Sequence, residues 1–242
     1  MGKISVFFFM VVCCLFGCIG KRSPANTPGP TDFSNANWEL ISDYDGIKVF
    51  KWKVPGSESP AFQAEGMIHV PISKVVAAIK ETNRRTEWSP RVKQATLLKK
   101  ISKTQWIEYW HLGTPLVVRD RELVITIDVQ FDQVARRLVV PFYSVESESA
   151  PTGKYVRATV LGGAYILSPT QDGQSTNFIF LAHIDLGGTV PKWMTRSIQE
   201  EYPRNTIEGL RKQVLKPSVS DFTPINLLFE GKAKSTAELP AE

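Results

Sequence analysis

The sequence predicts an α+β domain, a run of antiparallel strands closed by one long C-terminal helix. Three observations point there. Between residues 46 and 185 most apolar residues recur with the period of two that a strand requires, in runs separated by short turns. Helical spacing is confined to a short segment after Pro71 and a long one after Pro191. Residues 37–217 show no internal repeat and are long enough for one domain with a sizeable core.

The elements follow in order. Gly46 to Val54 alternates apolar and basic residues, as a half-exposed strand does. Residues 61–69 resume the pattern after the turn at Pro55-Gly56, so the pair reads as a hairpin. Pro71 then opens an amphipathic helix carrying Ile72, Val75, Val76 and Ile79 on one face. Further strands are predicted at 94–101, 105–112, 123–131, 137–145, 154–167 and 177–185, most of them divided by turn residues such as Ser102-Lys103, Gly113 and Asp172-Gly173. Short connections make the sheet antiparallel. Leu123, Ile125, Ile127, Val129 and Phe131 fall on one face of their strand, with Val124, Thr126, Asp128 and Gln130 on the other. Trp106, Trp110 and Leu112 share a face of the preceding strand, and Phe178, Phe180, Ala182 and Ile184 share one in the last. Gly162-Gly163 marks a bulge. In the closing helix Met194, Ile198, Tyr202, Ile207, Leu210 and Val214 recur near one face, and Pro203 inside it predicts a kink or a break.

The two ends differ from the middle. Lys3 precedes an apolar run from Ile4 to Phe16 that closes on Leu15-Phe16-Gly17-Cys18. The run is shorter than the about 20 residues that cross a bilayer, and has the positive start and small closing residue of a secretory signal. Leu-x-Gly-Cys resembles the bacterial lipobox, which implies that residues 1–17 are removed and that Cys18 is acylated. By resemblance to sorting rules, Ile19 after the cysteine points to the outer membrane, with the protein facing the periplasm. Residues 18–36 read as the lipidated cysteine and a flexible tether reaching roughly 15–20 Å. Residues 218–242 read as a loose tail that docks its one apolar patch, Ile225 to Phe229.

Composition removes several classes of chemistry. Cys13, Cys14 and Cys18 are the only cysteines, so the processed chain holds no internal disulfide, thiolate nucleophile or Cys-ligated metal. The formal charge of +5 is spread among acids rather than gathered into a stripe. Together with export this excludes nucleic acid as a partner and fits a modest attraction to anionic head groups.

Trp38, Asp45 to Phe50, Arg84 to Ser89, Pro115 to Asp120, Val156-Arg157 and Ile184 to Trp193 resemble, in that order, the START domain family of lipid-transfer domains. The resemblance covers about residues 37–216. It implies the helix-grip fold, an antiparallel sheet wrapped around the C-terminal helix with an internal cavity for one lipid. A two-chain lipid exposes dozens of methylenes at about 0.8 kcal/mol each, so its carrier must offer an apolar substitute for the bilayer. The residues implied to line that cavity are Trp106, Trp110, Leu112, Arg119, Ile125, Ile127, Val129, Phe178, Phe180, Met194, Ile198, Ile207 and Leu210. Several family members carry an acid and a base inside the cavity. The matching positions here hold Trp110 and Ile125, which implies a ligand held mainly by apolar contact. Arg119 and Asp120 are neighbours on an extended segment, so at most one reaches the interior directly. Opening is expected at Pro203 and at the loop 133–136.

The expected function is a membrane-anchored, non-catalytic lipid-binding or lipid-transfer protein without metal or cofactor. Two alternatives stand beside it. His69, His111 and His183 are the only histidines, and His183-Ile-Asp185 puts an imidazole and a carboxylate on one strand face. A helix-grip hydrolase or cyclase would use His111 or His183, although no nucleophile elbow, His-Glu-x-x-His helix or Walker loop accompanies them. A lipid-gated sensor or envelope scaffold would use tether and tail to meet a protein partner.

Overall fold

The computed structural model describes residues 31–115, 118–151 and 153–240, the side chains of residues 192–200 excepted. The signal segment and Cys18, most of the tether, and the side chains of Met194 and Ile198 lie outside the described residues.

Eleven strands among the described residues form one sheet. Strands β1 (Glu39–Tyr44), β2 (Ile47–Trp52) and β3 (Ala61–Ile68) make one wing. Helix α1 (Ile72–Lys80) and a 3₁₀ turn (Thr82–Glu87) lead to β4 (Val92–Lys100) and β5 (Gln105–Leu112). After these come β6 (Arg121–Asp128), β7 (Gln130–Asp132), β8 (Arg137–Ser144), β9 (Val156–Arg157), β10 (Thr159–Pro169) and β11 (Thr176–Asp185). The spatial order is β1-β2-β3-β11-β10-β8-β6-β5-β4, so the last long strand sits at the centre and β1 and β4 form the edges. All pairings along that path are antiparallel; the short β9 lies parallel to β6. The predicted glycine bulge is present, as a register shift between Val160 and Gly162.

Helix α2 (Lys192–Gln213) packs across β3, β2 and β11. It runs unbroken through Pro203, so the predicted break is absent. Ile207, Leu210 and Val214 are fully enclosed against the sheet, and each such side chain contributes about 1.5–3 kcal/mol. Close approach to the 3₁₀ turn requires a glycine, since a Cβ on Gly209 would lie 2.0 Å from the Trp88 carbonyl oxygen.

Three expectations are corrected. Strand β1 was not foreseen. The tether ends earlier than residue 36, because Thr31 already joins the fold through its N–H to the Leu161 carbonyl, 2.9 Å. Residues 218–240 are packed rather than loose. They form a 3₁₀ turn (Thr223–Ile225), helix α3 (Asn226–Phe229) and a second 3₁₀ turn (Thr236–Glu238), and they bury Val219, Phe222, Ile225, Leu228, Ala233 and Leu239. The reason is apolar spacing beyond the one patch that was read: Phe222 and Leu239 extend the buried line on either side of it.

Candidate functional site

The inward face of β5 carries Trp106, Glu108 and Trp110 in alternation, because side chains two apart on a strand share a side. Glu108 is wholly enclosed and so is Arg85, which the 3₁₀ turn delivers from the opposite wall. Their ion pair measures 3.0 Å. The carboxylate is saturated with donors. Its Oε1 accepts from Thr82 Oγ1 and Trp106 Nε1, both at 2.6 Å, and from Arg85 Nη2; its Oε2 accepts from Trp110 Nε1 at 2.5 Å. Burial opposes the charge on Glu108, yet the Arg85 guanidinium and these hydrogen bonds outweigh it and hold the carboxyl below its ordinary range.

Arg85 is less well supplied. Nη2 donates to Glu108 and, at 2.7 Å, to the Ile79 carbonyl, while Nε and Nη1, though buried, have no partner among the described residues. The guanidinium lies over the rings of Trp88 and Trp110, 4.9 and 5.2 Å from their centroids. Tyr165 lies in the same interior, and burial drives its phenol far above the ordinary value.

Around this polar knot the interior is apolar. Ile125, Ile127, Val129, Phe178, Phe180, Ile207 and Leu210 are all buried as predicted, and Phe142, Tyr165 and Phe180 form a ring cluster with centroids 5.0–6.1 Å apart. These rings occupy much of the space expected to be hollow. Between the sheet and α2 the described residues leave a pocket of ≈ 70 Å³ near the start of β6, lined by Leu112, Leu123, Phe180, Ile184, Tyr202 and Pro203 among others. That is far below the roughly 300–1,000 Å³ of a typical ligand pocket. Its rim is clasped by Arg121, whose Nε and Nη2 donate to the Leu186 and Gly187 carbonyls at 3.1 and 3.0 Å.

Two predicted site features are corrected. Arg119 points away from the interior and donates to the Lys154 carbonyl at 3.2 Å, and Asp120 is taken up by Lys93, His111 and Thr114. The interior does contain an ion pair, formed by Arg85 and Glu108 rather than at positions 110 and 125. Neither was singled out from the sequence, although a signal existed: an acid between two inward tryptophans gives both indole N–H groups an acceptor. The loop 133–136 touches the C-terminal segment through Gln133 Nε2 to the Lys234 carbonyl and Arg136 Nη2 to the Phe229 carbonyl.

The histidines lie apart from this site. His111 pairs with Asp120 at 2.6 Å and stacks on Tyr155, centroids 4.0 Å apart. His183 donates from Nε2 to the Ser59 carbonyl at 2.9 Å and sets Nδ1 against the Thr31 hydroxyl at 2.8 Å. Both occupy strand positions that alternate with the inward ones.

The model of the START domain matches residues 32–214. The chain belongs to the START domain family. Among its relatives, an uncharacterised protein of Pseudomonas aeruginosa is 26% identical over 181 residues, 74% of this chain and 88% of that protein. The phosphatidylcholine transfer protein of Mus musculus is 23% identical over 186 residues, 75% and 85% of the two chains. A StAR-related lipid transfer protein fragment from Xanthomonas axonopodis superposes with a TM-score of 0.64 at 25% identity, covering 74% of this chain and 99% of that one. Human StAR-related lipid transfer protein 5 shares the fold, with a TM-score of 0.67 at 18% identity over 74% and 87% of the chains. This START domain therefore has the α+β helix-grip fold, a large antiparallel sheet with the C-terminal helix packed against it.

Proposed function

We propose that this START domain binds and transfers one lipid, held between the sheet and α2, and that it performs no chemistry on it. The observation that carries the reading is the buried Arg85, with two unpartnered N–H-bearing nitrogens beside a carboxylate that is already saturated. Such a pair has donors to spare and no acceptors, so the ligand's polar group is an acceptor. Glu108 already cancels the charge of Arg85, and a further net negative charge in this interior would be costly. The group that fits is an uncharged ester, carbonyl or hydroxyl oxygen, or a phosphate balanced by its own cation. The phosphatidylcholine carried by the mouse relative, as its name states, is of the latter kind. Acyl chains replace the ring cluster of Phe142, Tyr165 and Phe180, and access is by movement of α2 near Pro203, where the small pocket lies.

In the cell we place the domain outside the cytoplasm, held by acylated Cys18 to the outer membrane on its periplasmic side. The lipobox-like Leu15-Phe16-Gly17-Cys18 supports that placement. Native mass spectrometry and organic extraction of a chain starting at Ile19, purified from a lipid-containing host, test the central reading. One lipid per chain is expected, and Arg85→Ala reduces its occupancy. A clean protein mass, with no uptake from vesicles, overturns it.

A further inference from the structure

One end of the sheet, remote from the small pocket, gathers cations and bare aliphatic side chains. The turn between β4 and β5 presents Ile101, and the turn between β7 and β8 presents Val134, 48% and 98% exposed. Both turns are tied to the same C-terminal segment, by Lys103 Nζ to the Leu239 carbonyl at 3.1 Å and by Gln133 to the Lys234 carbonyl. Leu97, 47% exposed, sits just before the first turn on the edge strand β4. From Gln94 to Ile107 the chain holds Lys99, Lys100 and Lys103 and no acid. Arg136 and Lys234 add charge from the second turn and the C-terminal segment. The acids beside them are largely committed: Asp132 to Arg137 at 3.1 Å, Glu230 to Lys232 at 2.7 Å, and Glu238 to the Lys234 N–H at 2.7 Å.

Lysines on an edge strand are sufficient to discourage pairing with another sheet. They do not explain aliphatic tips standing clear of the surface on two separate turns. Tips of this kind, flanked by cations, suit insertion among anionic head groups, where each lysine contributes attraction and each aliphatic group buries methyls. A protein partner would instead need a pocket for each tip.

We infer that this end of the domain is a docking surface for an anionic lipid bilayer. Thr31, where the described chain begins, bonds to Leu161 and His183 at the opposite end of the sheet. The inference does not depend on what the interior holds.

The test is sedimentation of the chain starting at Ile19, which keeps every described residue, with vesicles of phosphatidylcholine alone or mixed with phosphatidylglycerol. Binding is expected only to the mixed vesicles and weakens as salt is raised. Lys99→Glu/Lys100→Glu lowers partitioning by on the order of tenfold or more, and Ile101→Ser/Val134→Ser lowers it without changing the salt dependence. Lys48→Glu/Lys53→Glu makes the same change of net charge on exposed positions elsewhere and leaves binding intact; melting curves confirm that all three variants are folded. Failure to bind mixed vesicles overturns the inference. So does equal loss in the Lys48/Lys53 variant, which would reduce the effect to overall charge.

Discussion

Arg85 and Glu108 meet at 3.0 Å with both side chains closed to solvent, one from the 3₁₀ turn after α1 and the other from the middle of β5. With the Thr82 hydrogen bond to the same carboxylate, the pair ties the turn to β5, so its parts are unequal when removed singly and together.

Arg85→Ala strands a buried carboxylate and is expected to cost about 3–5 kcal/mol in urea unfolding. Arg85→Met combined with Glu108→Leu removes both charges but leaves Thr82, Trp106 and Trp110 without their acceptor, so it recovers only part of that stability, and it does not recover lipid loading. Recovery of loading in the double variant would show that the pair serves the fold alone.

Gly209→Ala puts a methyl group into the Trp88 carbonyl, 2.0 Å from the ideal Cβ position. The backbone oxygen cannot turn aside, so α2 must lift. A loss of roughly 1–3 kcal/mol is expected from thermal melts, although alanine favours the helix intrinsically. An unchanged melting temperature would mean that α2 does not press on this turn.

Burial pushes the His183 imidazole below its ordinary value of 6.5. The unfolded chain then takes up a proton that the folded one refuses. The associated stability is complete above the unfolded value and is lost as pH falls through the window beneath it. The urea midpoint should therefore drop as pH falls through 6.5 and below it, and His183→Asn should flatten that dependence. Equal slopes in both proteins would place the titration elsewhere.

Removing residues 218–242 strips Val219, Phe222, Ile225, Leu228 and Leu239 from the core. At about 1.5–3 kcal/mol for each large side chain the loss is as large as the whole stability of a typical domain. The shortened chain should lack a cooperative melt and be cut rapidly by proteases. A sharp transition near that of the full chain would restore the reading of this segment as a tail.

Much of the fold was legible. β5 falls on its predicted bounds, and the hairpin of β2 and β3, the short helix and the inward stripes of β6 and β11 follow from period and turn residues alone. β1 was not, because Glu39 to Tyr44 lies at an edge, where few side chains are buried and the alternation fades. At Pro203 the break is absent but the helix continues with one hydrogen bond fewer: packing of the second half against the sheet carries it through. The central pair escaped notice because an acid amid tryptophans is read as a strand's polar face, and its partner comes from a turn 23 residues earlier. Local pattern shows which residues share a side of an element, but not which turn is folded over it.

The ring cluster of Phe142, Tyr165 and Phe180 has a thermodynamic meaning for any cargo. In a chamber that its own side chains can fill, those side chains are competitors, and affinity is the difference between two ways of excluding water. Retention is correspondingly weaker than buried area alone would give. For the lipid proposed above, release would then be driven from within, as the aromatic rings return to the space its departing acyl chains leave.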